Sequence, residues 1–182
     1  MKKVSIIIVV LLSIFFIGCK ERHCPKFPKE LNYFPYAKKQ ELKFTNSIHD
    51  VSSFIISEKE NTKAYYLGIY DKGDCDCSSR FSTNRNQDYM NISGNFSIAG
   101  NKYEDGSVSI YFDFDNYINK DNFSIILINN RDFPIKELSK YINDTIVMEN
   151  EKNKMIKKII IVKGKGLISY TTVDGEEWSL IK

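Results

Sequence analysis

Nine residues that alternate apolar and polar side chains can bury one face only as a strand, because a strand turns successive side chains to opposite sides. Tyr89 to Ala99 has this pattern. Met90, Ile92, Phe96 and Ile98 share one row, and Asn91, Ser93, Asn95 and Ser97 share the other. Gly94 interrupts the apolar row, where a bend or bulge is expected. Val108 to Asn116 repeats the design, with Val108, Ile110, Phe112 and Phe114 opposed to Ser109, Tyr111, Asp113 and Asp115. Such neighbours predict antiparallel pairing with one wet face and one apolar face.

Further strands are predicted at Leu42–Thr45, Phe54–Ile56, Ala64–Tyr70, Ser124–Ile128, Thr145–Met148, Ile156–Val162, Leu167–Thr172 and Glu177–Ile181. Asp174-Gly175 marks one hairpin turn, and Gly164 with Gly166 marks another. Asp132 to Ile142 has a different period. Asp132 caps, Pro134 suits a first helical turn, and Ile135, Leu138, Tyr141 and Ile142 share a face, which predicts one short helix. The 12 Phe and 11 Tyr fit half-buried pleated surfaces. The expected fold is mainly β: an antiparallel meander of about nine strands with one short helix, forming a barrel- or sandwich-like domain.

The first 19 residues are built differently. Lys2 and Lys3 precede an apolar run from Val4 to Ile17, which ends at Gly18-Cys19. The run is shorter than the roughly 20 residues a spanning helix needs, and the order of parts is that of a signal peptide. Phe16-Ile17-Gly18-Cys19 resembles a lipobox, the processing site of bacterial lipoproteins. The resemblance implies cleavage before Cys19 and diacylglycerol on its thiol, which makes the membrane a partner. Phe16 and Ile17 depart from the usual residues. Lys20 is not aspartate, which leaves the outer membrane as the expected location. The implied organisation is a signal peptide at 1–18, a lipidated tether and lead-in at 19–37, and one β-rich domain at 38–182. Pro25, Pro28 and Pro35 disfavour strand pairing in the lead-in. Its Phe27, Leu31, Tyr33, Phe34 and Tyr36 are nonetheless too apolar for a free linker, so the segment is expected to pack on the domain. Removing Lys2 and Lys3 takes the formal charge from +3 to +1, which gives no electrostatic basis for binding nucleic acid.

Near the C-terminus, the run from Ile159 to Tyr170, with its Gly164 and Gly166, is followed by Asp174-Gly175 and Trp178-Ser179-Leu180. Together with Cys24-Pro25, Phe34-Pro35-Tyr36 and Cys75-Asp76-Cys77-Ser78, it resembles uncharacterised strand-rich small lipoproteins of Gram-negative bacteria. That resemblance implies class and location and transfers no functional residue. Trp178 and Leu180 are expected to fill the end of a core.

Chemistry-bearing residues are few. Cys24, Cys75 and Cys77 are disulfide candidates in an oxidising envelope, with Cys24 bonded to Cys75 or Cys77. With His23 they make a formal zinc set, but Cys-x-Cys lacks the usual gap. Asp71, Asp74 and Asp76, and separately Asp113, Asp115 and Asp121, do not match an EF-hand and are expected to be solvated loop acids. His49 is expected in a polar turn. Lys152, Lys154, Lys157 and Lys158 are expected to form a basic turn and strand edge. No catalytic, metal or cofactor motif emerges. The expected function is a non-enzymatic binding or structural module for a protein, glycan or lipid. The alternatives are a lipid carrier with an apolar cavity and an envelope hydrolase using His49.

Overall fold

The computed structural model describes residues 29–63, 77–84, 90–99, 106–130 and 142–181. Within them lie ten strands: β1 (Glu41–Thr45), β2 (Val51–Lys63), β3 (Cys77–Thr83), β4 (Asn91–Ala99), β5 (Gly106–Asp115), β6 (Lys120–Asn130), β7 (Thr145–Glu149), β8 (Ile156–Val162), β9 (Gly166–Thr172) and β10 (Glu177–Leu180). All pairings are antiparallel, in the order β6-β5-β4-β3-β2-β1-β10-β9-β8-β7. Except for β6 and β7, each strand is therefore paired with its neighbour in sequence, and β1 meets β10, with Phe44 opposite Leu180. The two edges, β6 and β7, face each other across a seam. The result is an up-and-down barrel, nearly closed, and closure protects sheet edges from stray pairing.

The meander agrees with the sequence pattern, with one strand added. Cys77–Thr83 is β3, a segment to which the sequence pattern assigned no strand. Its inward row is Cys77, Ser79, Phe81 and Thr83, all buried. Three of these four are small or polar, so the alternation is hidden from a hydropathy pattern. The expected strand at Ala64–Tyr70 lies outside the described residues, as does the expected helix except for buried Ile142. Lys157 and Lys158 are not on an edge. They sit on β8, between β7 and β9, in ion pairs with Glu151 (3.0 Å) and Glu149 (2.8 Å).

The lumen is filled by the chain's own lead-in. After a 3₁₀ turn at Lys29–Leu31, residues Leu31, Tyr33, Phe34 and Tyr36 are buried among the inward rows of the strands. The segment is expected to pack on the domain, and the structure places it within the core. Tyr33 stacks on Phe96 at 5.2 Å, and Phe34 meets Phe81 (4.9 Å) and Phe112 (6.0 Å). From Phe112 the ring contacts continue through Phe114 and Tyr170 to Trp178, linking the plug to the opposite wall. Each such pair contributes about 0.5–1.5 kcal/mol beyond area burial. The polar groups of the plug are satisfied at the barrel's rim. The Tyr33 hydroxyl donates to the Asn143 carbonyl (2.5 Å), Gly164 N–H donates to the Asn32 carbonyl (2.8 Å), and Leu167 N–H donates to the Tyr36 hydroxyl (2.6 Å). Burial raises the Tyr33 hydroxyl to about 12, with a smaller contribution from Asp144, and burial also pushes Tyr36 upward.

Two glycines make room for these rings. Gly94 stays in register between Phe81 and Phe112, so it marks no bulge. A Cβ there would lie 2.5 Å from Phe81 Cε1 and 2.9 Å from Phe34 Cζ. At Gly166, where φ is +85°, a Cβ would fall on the Tyr36 hydroxyl. Gly94→Ala and Gly166→Ala are each expected to destabilise by about 1–3 kcal/mol through overpacking, with added backbone strain at Gly166. Urea denaturation measures both, and an unchanged midpoint in either would contradict this packing.

Candidate functional site

The outer face of β2–β5 carries a trough with a volume of about 570 Å³. Its side chains follow directly from strand register. One outward row runs Glu60, Arg80, Asn95, Tyr111, each opposite the next across neighbouring strands, and a second runs Glu58, Ser82, Ser93, Asp113. Lys38 closes one end, and the floor includes the backbone of Gly94. The missing Cβ at Gly94 lets Phe34 and Phe81 press onto β4 from inside, directly beneath that floor.

The charges in the trough are largely matched. Arg80 Nε lies 3.3 Å from Glu60 Oε2, and Asp113 pairs with Lys120 (3.2 Å) and accepts from Asn122 Nδ2 (2.6 Å). Ser82 Oγ reaches Glu58 at 3.4 Å. Tyr111 is 43 % exposed, and Asn95 Oδ1 is shielded from solvent without a hydrogen-bond partner. A buried acceptor left unpaired costs about 1–3 kcal/mol, so Asn95 is the least satisfied group in the trough.

Lys59 also borders the trough, but its side chain takes the other direction. The pairing passes from Ile56–Thr83 to Glu58–Ser82, so Ser57 is an extra residue and the inward row of β2 changes parity. Lys59 consequently faces inward opposite Phe81, and its Nζ donates to Ser79 Oγ at 2.6 Å. Burial lowers the ammonium from 10.5 to about 8. Ser79 is 1 % exposed, so its hydroxyl is shielded from solvent. The sign for stability follows from proton binding. Between about pH 8 and 10.5 the unfolded chain holds a proton at Lys59 that the folded chain has released, so stability rises with pH there. Tyr33 acts in the opposite sense. Its contribution is present below pH 10 and is lost as pH climbs toward 12. The wild-type urea midpoint is therefore expected to increase between pH 7.5 and 9.5 relative to that of Lys59→Met, and parallel curves would contradict the inward placement of Lys59.

Of the residues singled out from sequence, Cys77 is buried and opens β3. Cys19, Cys24, Cys75 and His23 lie outside the described residues, as do Asp71, Asp74 and Asp76. His49 occupies the expected turn at φ +68°, with its side chain exposed. Asn46 Oδ1 organises that turn, accepting from Ile48 N–H (3.2 Å) and Asp50 N–H (2.8 Å). The second acidic group divides. Asp113 and Asp115 stand on β5, whereas Asp121 is not a loop acid at all: it is 2 % exposed at the start of β6, and its carboxylate accepts three backbone N–H groups. Among the described residues no three His, Cys, Asp or Glu side chains converge on a metal position. Trp178 and Leu180 pack half-buried against the core, as expected.

Sequence alone shows that Asn95 and Tyr111 face water. It does not show that they are opposite one another, nor that Arg80 completes the row, because β3 was hidden. Compared with protein-family models, curated proteins and solved structures, the chain matches none of them.

Proposed function

We propose that this protein is a membrane-tethered, non-enzymatic binding module that engages its ligand on the outside of the barrel. The observation that carries the proposal is the lumen filled by Leu31, Tyr33, Phe34 and Tyr36. Among the described residues these side chains pack against the inward rows of the strands, which supports recognition on the outer surface over a guest held inside. The trough over β2–β5 offers a concave surface lined mainly by polar and charged side chains, with Tyr111 as its exposed aromatic group.

The tether follows from Gly18-Cys19 and the apolar run before it. Lipid on Cys19 would leave ten residues before Lys29, a reach of at most about 35 Å when fully extended. Lys29 begins the plug, so a tether from Cys19 would join the domain beside Asn32, whose carbonyl accepts from Gly164 N–H in the β8–β9 turn. Two or three acyl chains give stable attachment where one gives only reversible binding. Lys20 in place of aspartate supports the outer membrane.

Globomycin is expected to cause a larger precursor to accumulate, and palmitate is expected to label the wild-type chain but not Cys19→Ser. A Cys19→Ser chain that still took up palmitate and sedimented with membranes would overturn the tether.

A further inference from the structure

We propose that the trough over β2–β5 is a binding site for neutral saccharide, with the Tyr111 ring as platform and Asn95, Arg80 and Ser93 as hydroxyl partners. This names the ligand of the binding module proposed above and rests on that role.

Charge selects the class. With Lys59 turned inward, the charges around the trough are Lys38, Arg80 and the Asp113-bound Lys120 against Glu58, Glu60 and Asp113. Arg80 is already paired with Glu60, and Asp113 with Lys120. A polyanion would be repelled by the three carboxylates, and a polycation would meet Lys38 and Arg80. A ligand without net charge avoids both penalties.

The remaining chemistry fits an uncharged polyol. Tyr111 offers a half-exposed aromatic face with a hydroxyl at its tip, suited to a ligand with one apolar C–H face and polar edges. Directly opposite, Asn95 carries both amide donors and an acceptor, and the Oδ1 has no partner at rest. A ligand hydroxyl would satisfy that acceptor once the side chain turned toward the trough. Ser93 and Ser82 add hydroxyls in the second row, and the Arg80–Glu60 pair supplies a donor and an acceptor side by side. The volume of about 570 Å³ lies within the range of small-molecule sites. Strand register fixes the backbone positions that carry these groups.

The test uses the full chain in detergent, with maltotriose, cellotriose, chitotriose and mannotriose as probes read by saturation-transfer NMR and calorimetry. At least one probe is expected to bind. Tyr111→Ala and Asn95→Ala should each weaken that binding at least 10-fold, Tyr111→Phe less than 3-fold, and Tyr117→Ala, at the exposed β5–β6 turn, not measurably. Thermal melts confirm that each variant is folded. Absence of binding by all four sugars would overturn the saccharide assignment, as would equal binding by wild type and Tyr111→Ala. Heparin, oligolysine and oligoaspartate form the comparison arm. Binding of one of these that is lost in Tyr111→Ala would reject the neutral sugar yet keep the trough as the module's site. No response from any probe, together with no crosslink from a photoreactive group at Ser93 in intact cells, would reject both.

Discussion

Phe34→Ala is expected to destabilise the barrel by about 3–5 kcal/mol, lowering the melting temperature by roughly 10 °C. Phe34 is completely buried and touches Phe81, Phe112 and Tyr36. Alanine would leave a void beneath Gly94, whose bare backbone offers no atoms to fill it. Relaxation by moving β4 inward is limited, because β4 is paired along its length with both β3 and β5. A chain beginning at residue 38 should suffer more. It loses Leu31, Tyr33, Phe34 and Tyr36 together, and Leu167 N–H loses the Tyr36 hydroxyl. Calorimetry on both proteins provides the check. A cooperative transition within a few degrees of wild type for the shortened chain would mean that the lead-in is an accessory to a self-sufficient barrel.

The sequence shows why this role is legible only in part. Pro35 and the neighbouring aromatics correctly exclude both a central strand and a free linker. Nothing local distinguishes packing on a barrel from packing inside one, because that depends on whether the wall side chains leave a hole. Gly94 is the trace of that hole. In an otherwise apolar row a glycine suggests a bend, yet the strand keeps its register and the missing side chain is replaced by Phe34 from another part of the chain. The same limit applies on the outer face. Alternation correctly assigns Asn95 and Tyr111 to the wet side. Their juxtaposition with Arg80 and Glu60 depends on β3 and on the bulge at Ser57, and neither leaves a hydropathy signal. Lys59 illustrates this most directly, since one extra residue turns an apparently outward lysine toward Ser79.

Asp121→Ala should be comparably damaging, for a reason that lies at the seam. Asp121 begins the β6 edge, and its carboxylate accepts from Lys154 N–H (2.8 Å), Met155 N–H (2.6 Å) and Ile156 N–H (2.7 Å), where the chain enters β8. The β6 and β7 edges are not joined by strand pairing, so this side chain performs the work a backbone ladder performs elsewhere in the barrel. Close by, Asn150 Nδ2 reaches the Asn122 carbonyl (3.0 Å), but that contact is exposed and competes with water. Removing the carboxylate orphans three donors, one of them on buried Ile156. At about 1–3 kcal/mol for each unsatisfied group, and with some relief from water, the total should be on the order of 3–5 kcal/mol. Asp121→Asn is the sharper variant. It preserves shape but replaces one acceptor oxygen with an amide donor, setting N–H against N–H, so it should lose one or two of the three bonds. Hydrogen exchange separates the seam from global stability: the amides of Lys154, Met155 and Ile156 should lose protection in Asp121→Asn before those of β4 do. If they exchange in step with β4, or if Asp121→Ala costs less than about 1 kcal/mol, the seam is held by something other than this carboxylate.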